Sequence, residues 1–120
     1  GMGNIVGEAF LLTSVAFGGL SLFALNTKKD FTTMGQMLII TLIVVIVAGL
    51  LNLFFQSPLF QLVIAVVRSI LFSFYILFDT QNIVNGNYSS PIEGAITLYL
   101  DFFNLFVSLL QILGILGNEE

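Results

Sequence analysis

The run Leu38-Ile39-Ile40-Thr41-Leu42-Ile43-Val44-Val45-Ile46-Val47-Ala48-Gly49-Leu50-Leu51 decides the architecture, because it holds a single hydroxyl and no charge. A strand of a membrane β-barrel would alternate apolar and polar side chains over about 10 positions. This run does not alternate. Extended from Thr33 to Phe55, it reaches the roughly 20 residues with which a helix crosses about 30 Å of hydrocarbon. In that solvent the backbone must satisfy its own hydrogen bonds, so a span of this composition is a helix.

The same texture continues in both directions. Of 120 residues, 58% are hydrophobic and 8% are charged, with a mean hydropathy of +1.07. In soluble domains roughly a quarter of residues carry charge. Short polar breaks divide the chain. A first helix from about Asn4 to Leu25 ends at Asn26-Thr27-Lys28-Lys29-Asp30, and the second ends at Gln56-Ser57-Pro58. The third runs from Pro58 to about Val84, with Ser57 as N-cap and Pro58 at the first helical position, where a missing N–H costs nothing. Asn85-Gly86-Asn87-Tyr88-Ser89 has turn chemistry and no apolar period, so it is a loop. Ser90-Pro91-Ile92-Glu93 then has the form of a capping box and opens a fourth helix to about Leu116.

The expectation is an all-α membrane protein with four transmembrane helices forming one domain over residues 1–120. Lys28 and Lys29 are the clustered basic residues, which places the first loop in the cytoplasm. Antiparallel spans then put the third–fourth loop on that side too, with both ends and the second turn outside. No cleaved signal peptide is expected, Gly1 reads as an addition ahead of Met2, and Glu119 and Glu120 read as a solvated tail.

Several chemistries are closed. The sequence has neither Cys nor His, so disulfides, thiolate sites and the usual zinc ligand and general base are excluded. Three basic residues against seven acidic ones leave no surface for nucleic acid. No resident cofactor is expected.

The informative residues are ionisable ones where hydrocarbon should be, since each costs at least about 2.5 kcal/mol at mid-depth without a partner or water. Arg68, Asp79 and Asp101 qualify. On the third helix, Gln61, Arg68, Phe72, Tyr75, Asp79 and Asn82 fall on one face; on the fourth, Gly94, Thr97, Asp101, Asn104, Ser108 and Gln111 do the same. Folding the hairpin about its loop brings Asp79 and Asp101 to similar depth. Two carboxylates a few Å apart in a low dielectric cannot both ionise cheaply, so the pair either shares a proton or recruits a cation. An all-oxygen site suits Ca²⁺, with Asn104, Thr97 or water completing the shell. The bland alternative is that the two Asp residues only hydrogen-bond helices together. A neutral Asn would serve packing with less desolvation, which favours the proton- and cation-sensitive gate.

Arg68 lies roughly 16 Å from Asp79 by helix rise, too far for a direct pair. Its candidate partners are Glu8, water, a lipid headgroup or a helix outside this chain, in a structural or a functional role. Gly7, Ser14, Gly18 and Ser21 form a small-residue stripe for close packing of the first helix. Tyr75 and Tyr99 read as amphipathic filling, and Tyr88 as an interface anchor.

Three motifs, Thr27-Lys28-Lys29-Asp30-Phe31, Phe78-Asp79-Thr80-Gln81 and Leu98-Tyr99-Leu100-Asp101-Phe102-Phe103-Asn104-Leu105-Phe106, together resemble the Bax inhibitor-1 family, in particular its bacterial branch. The resemblance implies a seven-helix bundle around a central last helix, a pH-sensitive calcium leak governed by an aspartate pair here represented by Asp79 and Asp101, and residence in the bacterial inner membrane. Members are usually nearly twice as long, so the chain resembles their C-terminal portion. The family's latch, a basic residue on an early helix, has no counterpart here, and Arg68 does not replace it. The implied partners are the bilayer, calcium ions and either upstream helices, further copies of the chain or a membrane protease. The alternative to a leak is a non-conducting interaction protein that regulates a membrane protease or a stress or cell-death response. An enzyme is not expected, because Phe78-Asp79 and Leu100-Asp101 do not supply the Tyr-Asp and Gly-x-Gly-Asp signatures of intramembrane aspartyl proteases.

Overall fold

In the computed structural model, which describes residues 2–117, four long helices follow one another: α1 (Met2–Asn26), α2 (Gly35–Phe55), α3 (Pro58–Val84) and α4 (Pro91–Gly117). The readings of Gly1, Glu119 and Glu120 fall outside the described residues. All four helices are long and apolar enough to cross a membrane. The breaks sit where the sequence places them, and a 3-10 turn at Thr32–Met34 leads into α2.

Local chemistry explains the boundaries. Ser57 accepts a hydrogen bond from Phe60 N–H at 3.2 Å, the N-cap arrangement, with Pro58 opening α3. Before it, α2 is closed by Gln56 in a left-handed conformation (φ 51°), its N–H donating to Asn52 C=O. The α4 cap forms half of the capping box: Glu93 N–H donates to Ser90 Oγ at 3.2 Å, while the Glu93 carboxylate takes its bond from the Ser89 hydroxyl.

Packing makes α3 the hub. It contacts α1, α2 and α4, and α1 also packs on α4; among the described residues α2 touches only α3 and the short turn before it. Within this chain, then, the third helix rather than the last is central. Leu38 and Val45 of α2, Leu71, Phe72 and Ile76 of α3 and Leu105 of α4 form the buried core. Phenylalanines make the α1–α4 seam: Phe102 meets Phe10 at 5.9 Å and Phe17 at 5.5 Å, both edge-on. Edge-to-face rings add about 0.5–1.5 kcal/mol to their burial.

The small-residue stripe of α1 packs only in part: Ser21 accepts from the Thr80 hydroxyl of α3 at 3.5 Å, but its glycines do not pack. Gly7 and Gly18 are exposed with nothing near them, while Ala9, Thr13 and Ala24 are buried. Thr13 can be buried because its hydroxyl donates to Ala9 C=O at 2.6 Å. The closest-packed positions of α1 are thus alanines and a self-satisfied threonine, beside the phenylalanine seam.

The outside is apolar. Phe54 is 86% exposed, Leu53 70% and Val15 66%. Each such side chain left in water forgoes about 1.5–3 kcal/mol, so hydrocarbon is the solvent this surface fits.

Candidate functional site

The turn chemistry that closes α3 and opens α4 sets two carboxyls against each other. By helix rise, Asp79 lies about 8 Å before the end of α3, and Asp101 about 15 Å into α4. Both are buried, at 3% and 4% exposure, and both line one cavity between the helices. The two stripes therefore face each other as the periodicity predicts. The Oδ2 atoms of both residues have no hydrogen-bond partner among the described residues. Two carboxylates offer no donor between them, whereas one proton on the pair provides an O–H.

The pair opens on a cavity of about 630 Å³ between α2, α3 and α4. From α3 it is lined by Arg68, Phe72, Tyr75 and Asp79, and from α4 by Thr97, Asp101 and Asn104; α2 supplies an apolar wall that includes Leu42 and Val45. Tyr75 is fixed by stacking on Phe72, with ring centroids 5.3 Å apart. Tyr99 points elsewhere, 65% exposed.

Arg68 finds a partner that the sequence reading missed. Its Nη2 donates to Asn104 Oδ1 at 3.4 Å, while Asn104 Nδ2 donates to Leu100 C=O at 2.8 Å. The Asn104 side chain is thereby committed to α4 and to Arg68. Thr97 likewise donates its hydroxyl to Glu93 C=O at 2.9 Å. Both residues line the cavity; the Thr97 hydroxyl proton is spent on its own helix, while Asn104 keeps a second amide N–H beyond its bond to Leu100. Asn104, three residues beyond Asp101 on the same stripe, was the available signal for an Arg68 partner. A second space of about 390 Å³, lined by amides including Asn52, Gln61 and Gln111, also borders Arg68.

The sequence reading also missed Tyr88. Rather than anchoring at the interface alone, its hydroxyl donates to Asp79 Oδ1 at 2.6 Å. No periodicity governs a loop residue, so only the folded loop reveals this bond. Burial and the neighbouring acids push the Tyr88 phenol well above its usual 10.0, which keeps it a donor at any ordinary pH.

At the same end, Gln81 ties the α1–α2 connection to α3. Its Oε1 accepts from Phe31 N–H at 2.7 Å, and its Nε2 donates to Ala24 C=O at 3.1 Å and to Lys29 C=O at 2.9 Å. Both loops thus lie on one side, as four antiparallel spans require.

These features define a multi-pass helical membrane protein with an acidic pair held between two hairpin-linked helices. Residues 1–118 match the family model described as inhibitor of apoptosis-promoting Bax1. The chain belongs to the Bax inhibitor-1 family. It is 68% identical to an uncharacterised Campylobacter jejuni protein, over 92% of this chain and 48% of that protein. It is 44% identical to a Vibrio cholerae membrane protein, over 97% of this chain and 52% of that one. Identity with the Escherichia coli modulator of FtsH protease YccA is 36%, over 99% of this chain and 54% of YccA. The chain spans about half the length of the curated relatives it matches. With four apolar spans and such relatives, one of them named an inner membrane protein, it is a multi-pass protein of the inner membrane.

Proposed function

We propose that the chain supplies the proton-responsive element of a calcium-permeable leak, with Asp79 and Asp101 as the group that exchanges a proton for a cation. One observation carries the reading: two carboxyls, almost wholly buried and facing each other, each keep an unpartnered oxygen at the edge of a membrane cavity. A pair that only held helices together would be served by Asn at lower desolvation cost. Carrying one shared proton, the pair draws α3 and α4 together; without it, two charges a few Å apart repel or attract a cation. Calcium enters this scheme as cargo. Hard divalent cations take 6–8 oxygen ligands, and two carboxyls with water make a transit site rather than a resident one. Reconstituted in vesicles with a trapped calcium indicator, the protein should pass calcium at a rate that changes with pH. Asp79→Asn and Asp101→Asn should each remove that flux, and undiminished flux in both rejects the gate.

A second reading has its own support in the relative named as a modulator of FtsH protease. Here the protein acts by helix contact on a membrane protease of that type. It would co-purify with the protease and alter its turnover of a membrane substrate, with no calcium flux above empty vesicles.

A further inference from the structure

Asp79 is held from two sides, and one of them is a loop. Tyr88 reaches back over the end of α3 to place its hydroxyl 2.6 Å from Asp79 Oδ1. Its ring is half-buried, although Asn87 and Ser89 on either side are exposed. The loop is built to keep it there. Gly86 turns the chain with φ of 73°, a conformation that costs glycine little. Asn87 N–H then donates to Asn82 C=O at 2.9 Å, and Asn87 Nδ2 donates to Asn82 Oδ1 at 2.7 Å. Asn82 is itself buried and donates to Phe78 C=O at 3.0 Å. At Gly94 a side chain would stand 2.9 Å from Ile83 Cγ1, so the bare backbone there lets the end of α3 pack close, with Tyr88 Cδ2 in ordinary contact at 3.4 Å.

We propose that Tyr88 is the loop-side cap of the acidic pair: a positioning residue that occupies Asp79 Oδ1, directs Asp79 Oδ2 toward Asp101, and shuts the pair off from the water at the loop end until the loop swings away. The proposal rests on the pair being the working group of the protein, but it makes a separate claim about what covers that group.

The cap is releasable because it hangs on one hydrogen bond from a loop whose residues on either side are exposed. Other groups act on the phenol in one direction. Asp101 from α4 and Glu93 at the start of α4 disfavour its ionisation, as Asp79 does. Arg68 is the cation lining the cavity, and α2 lines it with apolar side chains. Tyr88 is thus a constant donor.

The test uses the full chain in vesicles with a water-soluble carbodiimide, the extent of modification at Asp79 being read by peptide mass spectrometry. Tyr88→Phe, which keeps the ring, should raise Asp79 modification about fivefold, the change that losing one ordinary hydrogen bond allows. Tyr88→Ala should raise it further, and Tyr99→Phe should leave it unchanged. Equal modification in wild type, Tyr88→Phe and Tyr88→Ala overturns the cap. A second readout guards against mere unfolding. The red-shifted near-ultraviolet absorption of a phenol bonded to a carboxylate should vanish in both Tyr88→Phe and Asp79→Leu and survive in Glu93→Gln; its survival in Asp79→Leu also overturns the proposal. Calcium flux is scored separately. Faster modification in Tyr88→Phe with no flux in any variant keeps the cap and rejects the leak, whereas flux that depends on Asp79 but not on Tyr88, with modification unchanged, keeps the leak and rejects the cap.

Discussion

Arg68 on α3 reaches Asn104 on α4, Nη2 to Oδ1 at 3.4 Å, and so places the one guanidinium of the chain along the cavity that ends at the acidic pair. At roughly 16 Å from Asp79 and an effective dielectric of about 20, a unit charge there is worth about 2 kcal/mol against a divalent cation approaching the pair. Arg68→Gln should raise calcium flux about thirtyfold if cations use this cavity. Measured under the same vesicle conditions, a flux equal to or below wild type would show that they do not.

Asp101 offers a stability test independent of transport. Asp101→Asn retains a donor for Asp79 and should keep stability, read from the thermal midpoint in detergent, within about 1 kcal/mol of wild type, whereas Asp101→Leu strands Asp79 Oδ2 and should cost about 1–3 kcal/mol. Equal midpoints for the two variants would mean that the carboxyls do not rely on each other.

Gln81 is a staple, and cutting it should loosen one end of the bundle. Gln81→Ala removes its bonds to Phe31 N–H, Ala24 C=O and Lys29 C=O. At about 0.5–1.5 kcal/mol per bond, and with part of the site wet, a loss of about 1–3 kcal/mol is expected. Amide exchange at Phe31 should accelerate while exchange in α4 stays unchanged.

The turn into α2 depends on acid. Asp30 accepts from Thr32 N–H at 2.9 Å and from the Thr32 hydroxyl, and these bonds hold its carboxyl below the usual 3.8. A carboxyl held low in the folded chain stabilises the turn above its ordinary pKa, and that contribution fades as pH falls through the lowered value. The Thr32 amide resonance should therefore titrate with a midpoint below 3.8, and Asp30→Asn should abolish the transition.

Tyr88 gives the opposite sign. Its phenol is held above 10.0, so the folded state keeps a proton that the unfolded chain releases, and stability is complete below that pH and declines above it. In a near-ultraviolet titration, wild type minus Tyr88→Phe should show a tyrosine that ionises later than free phenol.

Much of this was legible in the residues, for identifiable reasons. Helix ends were readable because a polar break in a hydrophobic chain is unambiguous, and Ser57-Pro58 fixed the start of α3 to the residue. The facing of Asp79 and Asp101 followed from helical spacing on both arms of one hairpin. What escaped depends on contacts without a period. Tyr88 is placed by a loop that folds backwards, and Arg68 meets Asn104 through a long side chain whose direction the stripe does not fix. Gly7 and Gly18 misled because small residues permit close approach without requiring it, and alanine with Thr13 made the α1 contact instead.

The single-sided seating of α2 has a consequence for any attempt to observe this protein at work. Because α2 is close-packed, among the described helices, only against α3, the cavity between α2 and α4 meets acyl chains wherever it opens sideways and no other helix fills it. Lipid is then a building material of the site rather than its surroundings, and chain length, unsaturation or a swap to short-tailed detergent changes the dielectric that the carboxyls feel. Rates compared across such media compare different sites.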